Sequence, residues 1–159
     1  YVCNVDENGL VKGNKHVDAC LKKYGKNNVI IICAEIENQI MELDPKDRKY
    51  FMTESRIKET GLDLLIKTGY KILKLITFFT STHKETRAWT ISKQCKAIKA
   101  AGLIHSDFEK GFIKAETISY DDFVFYKGYN EAKNTGKLRL EGKDYIVKDG
   151  EILYFRFST

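Results

Sequence analysis

Two short apolar runs joined by an amphipathic segment restrict the fold more than any other feature of this sequence. The runs are "YVCNV" at residues 1–5 and "NVIIICAEI" at residues 28–36. The segment between them, "KHVDACLKKYG", has helical periodicity and ends at Gly25, which is typical of a helix C-cap. Two β-rich runs connected by a helix form a βαβ unit with parallel strands. The sequence therefore predicts an α/β sheet here.

Polar residues end both predicted strands. Asn4 to Glu7 follow the first apolar run, and Glu35 to Glu37 end the second. Because ligands of open α/β sheets bind at the carboxyl ends of the strands, both segments are candidate ligand-binding loops. The first run also begins the chain without preceding strands, which predicts that the chain is a fragment of a longer protein.

Residues 38–75 are predicted to form helices that pack on the sheet or lead to a next domain. Asp44-Pro45 interrupts the first helix. The second helical segment has its apolar residues largely on one face. These residues are Leu62, Leu65, Ile66, Ile72 and Leu73.

From Ile76 onward the hydrophobic pattern changes to a period of two residues, which indicates strands. The predicted strands are "ITFFTS", "TRAWTIS" and "FIKAETISY", and "QCKAIKAAG" is predicted to be a short helix that Gly102 ends.

The segment "KLRLEGKDYIVKDGEILYFRF" adds three strand candidates, separated by turns at Glu141-Gly142 and Asp149-Gly150. Several strands around one helix predict an α+β domain of the ubiquitin-like β-grasp type. Leu153, Phe155 and Phe157 should then face its core.

Composition excludes several classes of protein. Hydrophobic residues make up 43% of the 159 residues, which is enough for a packed core, so disorder is not expected. The net charge of +5 is spread over both halves and does not identify a nucleic-acid binder by itself. The longest apolar run, residues 29–34, is far shorter than a bilayer span, so we expect no membrane partner.

The cysteines show no metal-binding or redox spacing. No two of the four cysteines form a C-x-x-C pair, and no histidine lies at metal-ligand spacing from any of them. The cysteines are Cys3, Cys20, Cys33 and Cys95. We therefore expect reduced thiols and no metal site. Together with the absence of a signal-peptide pattern, this predicts a cytoplasmic location.

The sequence contains no motif of a known catalytic site. Three Gly-Lys pairs, at Gly25, Gly136 and Gly142, lack both the following Ser or Thr and the earlier glycine of a phosphate-binding loop. There is also no nucleophile elbow, no H-E-x-x-H pair and no plausible triad. The sequence therefore predicts no catalytic residue in this chain.

Asn4 and Glu7 form the most suggestive pair. An Asn amide can donate to N7 and accept from N6 of adenine, and a carboxylate three residues later can accept from an exocyclic amine. The same stretch also suits a turn in which Asn4 and Asp6 bond their own backbone, and this second interpretation is the better one for the pair taken alone.

Longer segments resemble a known family. The segments "NVDE", "CAEIE", "GLDLLIKTGYKILKLITFFT", "KETRAWTI", "AAGLIHSDFEKGFIKAETISYDDF" and "GKLRLEGKDYIVKDGEILYFRF" together resemble the C-terminal part of the YchF, or Obg-like ATPase, family. The resemblance implies a P-loop nucleotide-binding domain followed by a TGS domain of the β-grasp type. Residues 1–75 would be the C-terminal remnant of the P-loop domain with its closing helices, and residues 76–159 the TGS domain.

The resemblance also implies a site for the nucleotide base. GTPases of this class carry an N-K-x-D loop whose Asp pairs with guanine, whereas this family has N-x-x-E and favours ATP. Asn4, Val5 and Glu7 match that loop, with Val5 where Lys usually stands. The triplet Cys33, Ala34 and Glu35 matches a second base-contacting loop that acts largely through its backbone.

The implied cofactor is ATP or GTP with Mg²⁺ in the full-length protein. The phosphate loop, the magnesium ligands and the elements tied to hydrolysis belong to the N-terminal half of the family. We therefore expect the chain alone to hold no cofactor and to be inactive. The expected function is that of the C-terminal part of a ribosome-associated, translation-linked ATPase.

Basic and aromatic residues alternate along the second half, a mixture that can neutralise phosphates and stack bases. The candidate residues for binding RNA or the ribosome are Arg87, Lys110, Lys114 and Lys143. For any single residue, a packed core with solvated charges is a slightly better explanation. The resemblance to TGS domains favours a ribosomal or structured-RNA partner, without DNA sequence specificity.

Two alternatives remain open from the sequence. The chain could be a free-standing β-grasp module that binds RNA or protein without nucleotide, with its βαβ unit used only for docking. It could also be an RNA-binding regulator that has no nucleotide dependence.

Overall fold

The computed structural model describes residues 1–54 and 59–158. The chain forms two compact units, Tyr1–Gly69 and Tyr70–Thr159. Each unit has its own sheet, of two strands in the first and five in the second. Among the helices of the described residues, none has the length and apolar content needed to cross a membrane.

The first unit is built on two parallel strands, β1 (Val2–Asn4) and β2 (Ile30–Ile32). They pair in register from Val2 opposite Ile30 to Asn4 opposite Ile32, so the predicted parallel βαβ arrangement is confirmed. Helices α1 (Glu7–Lys12) and α2 (Lys15–Tyr24) and a 3₁₀ turn at Lys26–Asn28 connect them.

Helix α1 lies where the sequence predicts only a loop. It forms because Asp6 Oδ1 accepts a hydrogen bond from Gly9 N–H at 2.7 Å and so caps the first turn. Asn14 caps α2 in the same way, accepting from two backbone N–H groups at 3.0 Å. Gly25 ends α2 as predicted, with a φ of 82° that favours glycine.

Strand β2 is shorter than predicted. It ends at Ile32, and helix α3 (Ala34–Glu42) begins two residues later, so the expected strand to Ile36 is wrong. Because β1 already ends at Asn4, β2 has no further partner residues in register. Glu35 and Glu37 therefore lie in the first turn of a helix, where acidic side chains complement the helix dipole.

Two further helices complete the first part of the chain. Helix α4 (Pro45–Glu54) follows the predicted break, with Asp44 Oδ1 accepting from backbone N–H groups of its first turn. Helix α5 spans Gly61–Ile72. The expected apolar face is only partly buried. Leu62 and Leu65 are half-buried, whereas Ile66, Ile72 and Leu73 are exposed.

The second unit is a mixed five-stranded sheet. Its strands are β3 (Leu75–Ser81), β4 (Thr86–Ser92), β5 (Phe112–Ile118), β6 (Arg139–Glu141) and β7 (Ile152–Phe157). Their order is β4-β3-β7-β5-β6, with β3 and β7 parallel at the centre and the other pairs antiparallel.

Four helices accompany this sheet: α6 (Ala97–Ile104), α7 (Ser106–Lys110), α8 (Tyr120–Phe125) and α9 (Tyr129–Asn134). Helix α6 contributes Ala97 and Ala100 to the core, where they pack with Phe78 and Leu153, and all four are fully buried. The small alanine side chains allow the helix backbone to approach the sheet closely.

The predicted core residues of β7 are oriented as expected. Leu153 is fully buried, and Phe155 packs against the core cluster. Phe157 is half-buried and stacks on Phe108 of α7, with ring centroids 4.1 Å apart.

Two local predictions for this half are wrong. Gly102 does not end α6, because the helix continues to Ile104; a Cβ at Gly102 would instead lie 3.0 Å from Glu109 Cδ. The middle strand candidate, "KDYIV", forms one isolated bridge between Ile146 and Lys96. Its backbone bonds Cys95 and the first two residues of α6, so it is not part of the sheet ladder.

A buried carboxylate holds the connection between β6 and β7. Glu151 is only 3% exposed and accepts hydrogen bonds from Tyr145 Oη at 2.6 Å, from Lys148 N–H at 2.9 Å and from the Arg139 guanidinium. Burial and the hydrogen bond to this carboxylate raise the pKa of Tyr145 well above its ordinary value. Glu151 therefore organises a segment that has little strand pairing of its own.

We expect Glu151→Ala to lower the free energy of unfolding by about 2–3 kcal/mol, because the buried donors around it would lose their acceptor. Urea unfolding of the chain measures this change. The control is Glu131→Ala on α9, where the side chain is exposed and the change should stay within about 0.5 kcal/mol. Equal losses in the two variants would show that the Glu151 contacts do not stabilise the unit.

Candidate functional site

Asn4 joins the two strand ends of the first unit. It is the last residue of β1, and its Oδ1 accepts a hydrogen bond from the Ala34 N–H at 3.0 Å. The neighbouring Val5 N–H donates to the Ile32 carbonyl at 2.9 Å. These two hydrogen bonds fasten the end of β1 and the following loop to the end of β2 and the start of α3, so the two segments predicted from the sequence lie side by side.

The Asn4 side chain acts as a distant cap of α3. Cys33, the residue before the helix, provides no side-chain cap, and the Ala34 N–H has no acceptor within the helix. Asn4 supplies that acceptor from 30 residues away. The local-turn interpretation is therefore correct for Asp6, which caps α1, but wrong for Asn4.

The geometry determines which part of the Asn4 amide faces a ligand. Oδ1 is engaged by Ala34, and Nδ2 of this exposed side chain has no acceptor among residues 1–54 and 59–158, so Nδ2 is the donor available to a ligand. A ligand with a ring-nitrogen or carbonyl acceptor matches that donor. The full two-way pairing with adenine that the sequence suggests would require the second lone pair of Oδ1.

The other residues of the first loop have separate roles. Val5 is half-buried, and Glu7 is the exposed first residue of α1. Gly9, which the sequence pattern did not indicate, allows the loop after β1 to lie close to the first turn of α1. A Cβ at Gly9 would lie 2.9 Å from Asp6 Oδ1 and 3.1 Å from Val5 Cβ.

The second loop exposes backbone as well as side chains. Cys33 is 2% exposed, whereas Ala34 and Glu35 are exposed at the first positions of α3. Since the first N–H groups of a helix have no intrahelical acceptor, the Glu35 N–H is a candidate donor to a ligand.

Glu37 does not belong to the ligand-facing set. Its carboxylate accepts from Gly61 N–H at 2.7 Å and from Leu62 N–H at 3.3 Å, and so caps the start of α5. A Cβ at Gly61 would lie 2.7 Å from Ile32 Cγ2, so glycine is needed at this contact. The expectation that the Glu35 to Glu37 segment forms a ligand-binding loop therefore fails for Glu37.

An open depression of about 600 Å³ lies between β1, its following loop and α2. Asn4 and His16 contribute polar groups to its lining, and Cys3 and Cys20 contribute thiols. Desolvation and a hydrogen bond with Cys20 raise the pKa of the Cys3 thiol, and all four cysteines are free. Across the described parts of the chain, no group of three or more His, Cys, Asp or Glu side chains is arranged to hold a metal.

The four basic residues predicted to bind RNA do not share one surface. Arg87 lies on β4 with its guanidinium 4.4 Å from the centroid of the Trp89 ring, on the side of the sheet that carries the core. Lys114 lies on β5 directly opposite Arg156, on the other side of the sheet. Lys110 ends α7, and Lys143 lies in the turn after β6.

The surroundings of Lys114 are not free for an anion. Arg156 donates to Glu116 Oε2 at 2.8 Å, as does the hydroxyl of Tyr129. Burial raises the pKa of Glu116, but these hydrogen bonds and the nearby Lys114 outweigh it and hold the pKa below its ordinary value. Lys114 therefore sits beside a carboxylate that remains ionised.

Comparison with known proteins decides the family. The family model YchF-GTPase_C, described as "Protein of unknown function (DUF933)", matches residues 75–158. The chain belongs to the YchF family. Proteins called "Ribosome-binding ATPase YchF" from Haemophilus influenzae and Bacillus subtilis are 47% and 48% identical to it. Each alignment covers 100% of the chain and 44% of the relative, so the chain spans less than half the length of these YchF proteins.

Solved structures agree with this family. "Structure of the Schizosaccharomyces pombe YchF GTPase" matches with a TM-score of 0.84 and 30% identity, over 98% of this chain and 42% of that chain. A GTP binding protein from Pyrococcus horikoshii OT3 matches with a TM-score of 0.63 and 16% identity, over 99% of this chain and 45% of that one. At this identity, the second likeness shows a shared fold alone.

We expect the Asn4 clamp to be visible in amide hydrogen exchange of the chain. Asn4→Ala removes the acceptor, so exchange of the Ala34 N–H should accelerate at least tenfold, which corresponds to about 1.4 kcal/mol. Asn4→Asp keeps an acceptor oxygen and should retain most of the protection. NMR measures both rates.

Asn38→Ala is the control for this experiment, because the Asn38 side chain bonds Glu42 within the same helix. It should leave the Ala34 rate unchanged. Unchanged exchange in Asn4→Ala would mean that the two loops are held together without the Asn4 side chain.

Proposed function

We propose that the chain is the C-terminal part of a ribosome-binding ATPase of the YchF type. In this proposal, residues 1–75 complete a P-loop domain and contribute its base-recognition loops, and residues 76–159 form a TGS domain. The observation that carries the proposal is the clamp between Asn4 and Ala34, which brings two loops together at the carboxyl ends of parallel strands. The names of the YchF relatives support the ribosome and ATP as ligands.

The donors and acceptors of the clamp fit a purine base. Asn4 Nδ2 and the Glu35 N–H can donate to ring and carbonyl acceptors, and the exposed Glu7 carboxylate can accept from an exocyclic amine. Glu7 stands where the N-K-x-D loop of GTPases has its Asp. For this reason we propose ATP as the bound nucleotide, with GTP as the alternative. Phosphate and Mg²⁺ binding is assigned to the remainder of the protein.

The second unit supports the β-grasp part of the proposal. Its first and last strands lie parallel at the centre of the sheet, each flanked by an antiparallel partner. Helix α6 packs across one face through buried alanines. We assign this unit to the ribosome or to another structured RNA, in the cytoplasm, without DNA sequence specificity.

The nucleotide-independent interaction module is the competing function. It gives no role to an exposed Asn4 donor beside free helix N–H groups. The two functions differ in whether nucleotide binding responds to changes at Asn4.

In the full-length protein that contains this chain, we expect Asn4→Ala and Asn4→Asp to weaken ATP binding by about 1–3 kcal/mol, the usual strength of a base contact. Both variants remove the Nδ2 donor, but only Asn4→Ala also removes the clamp. Isothermal titration measures the dissociation constants. If Asn4→Ala weakens ATP binding and Asn4→Asp does not, Asn4 acts by positioning the loop that contains Ala34 and does not contact the base.

The chain by itself serves as the control, because it lacks a phosphate loop and should release no phosphate from ATP. If neither variant alters ATP affinity in the full-length protein, Asn4 is a structural cap and the base site lies elsewhere.

We also expect residues 76–159 to fold without residues 1–60, because the core cluster from Ile76 to Leu153 lies wholly within them. The truncated piece should melt in one cooperative transition, monitored by circular dichroism. Broad, non-cooperative melting would contradict the proposed domain boundary.

A further inference from the structure

A basic depression of about 720 Å³, here called the lysine groove, lies where β3 begins and β4 ends in the second unit. It is lined by the four lysines Lys71, Lys74, Lys93 and Lys148, with Tyr70 and Asp149. The four lysines are exposed. None of these four lysines is among the basic residues selected from the sequence pattern.

The backbone around the groove is fixed by turns and clamps. Lys74 and Gln94 have positive φ values of 52° and 78°, so tight turns bound β3 and β4 on this side. The Lys93 N–H donates to the Lys74 carbonyl at 2.6 Å and joins the two turns. Asp149 Oδ1 accepts from the Thr77 N–H at 2.8 Å and ties the third segment to β3.

The lysine groove has a net positive charge, because its lining contains four lysines and one carboxylate, that of Asp149. Within residues 1–54 and 59–158, no carboxylate forms an ion pair with any of the four lysines, and Asp149 uses its Oδ1 on the Thr77 backbone. Other lysines of the same unit are paired. Lys96 lies 2.8 Å from Asp144, and Lys99 lies 2.5 Å from Glu109.

The walls of the groove strengthen its field. Its floor includes Ile76 and Val147, which are 8% and 2% exposed. One wall carries Tyr70, whose hydroxyl bonds Thr90 Oγ1 at 2.9 Å. A concave surface with low-dielectric walls and an excess of positive charge concentrates anions more effectively than the same charges spread over a flat surface.

We propose that the lysine groove binds the phosphodiester backbone of RNA. An RNA backbone carries one negative charge per nucleotide, and the four lysine ammonium groups act as point charges that can meet such phosphates in many orientations. The Tyr70 ring offers a neighbouring stacking surface. This inference rests on the proposed function, because it names where the ribosome or its RNA would contact this protein.

The test uses the full chain and a fluorescein-labelled RNA hairpin, with affinity measured by anisotropy over a series of salt concentrations. The groove variant is the triple substitution Lys71→Gln, Lys93→Gln and Lys148→Gln. Lys74 is left unchanged because of its positive φ. Each lost phosphate contact lowers the slope of log affinity against log salt by about 0.7–0.9, so we expect a decrease of about 2 and roughly tenfold or greater weakening.

The matched control is the triple substitution Lys84→Gln, Lys133→Gln and Lys137→Gln, which removes the same charge from exposed positions of the same unit outside the groove. It should change the slope by less than about 1. A third variant with arginine at the three groove positions should keep both the affinity and the slope. Thermal melting of each variant confirms that it is folded before its affinity is compared.

Several results would overturn the groove proposal. One is that the chain does not bind the hairpin at low salt. Another is that the groove variant and the unsubstituted chain have equal slopes of log affinity against log salt. A third is that the groove and control variants lose equal RNA affinity. Competition by polyglutamate as effective as competition by unlabelled RNA at equal charge would assign the groove to an acidic protein instead.

Ribosome co-sedimentation separates this proposal from the proposed function. If the chain binds the hairpin through the groove but does not sediment with ribosomes, the groove proposal stands and the ribosomal partner is wrong. If it sediments with ribosomes and the groove variant does so equally at every salt concentration, the ribosomal partner stands and the groove proposal fails.

Discussion

Parallel pairing of strands that are distant in sequence is the constraint on which both units depend. In the first unit, β1 and β2 are joined through two helices and a turn. In the second unit, β3 and β7 are the first and last strands, and every other element of the sheet lies between them in sequence. A parallel pair needs a long crossover, so each sheet forms only when the intervening helices pack correctly.

Short polar side chains secure both parallel pairs. Asn4 accepts from Ala34 across β1 and β2, and Asp149 accepts from Thr77 across 72 residues beside β3 and β7. Each acceptor satisfies a backbone N–H that its own element leaves unpaired. The two candidate binding surfaces adjoin these clamps, so the residues that hold the strands also fix the positions of the groups offered to a ligand.

Local pairing of charges, rather than net charge, distinguishes the surfaces of the second unit. Arg156 is engaged by Glu116, and Arg139 by Glu151, so these cations serve the internal polar networks. The lysine groove has no such partners among the ion pairs of the described residues. A formal charge of +5 conceals this difference, because paired and unpaired cations count equally in it.

The sequence by itself determined the elements whose signals are local. The parallel βαβ unit, the strands with alternating pattern, the helix stop at Gly25 and the inward orientation of Leu153 follow from periodicity and turn chemistry. The family could also be recognised from sequence, because its segments are long and specific. The base-binding role of Asn4, Val5 and Glu7 stays a prediction from the sequence.

The tertiary structure decided everything that depends on partners distant in the chain. It gave Asn4 its acceptor role toward Ala34, assigned Glu37 to the start of α5, and removed "KDYIV" from the sheet. It also separated Lys114 from Arg87 and gathered the lysines of the groove from three segments. Sequence patterns report periodicity along one element, whereas these contacts depend on how the elements pack together, and a short polar or charged side chain carries no local signal of its distant partner.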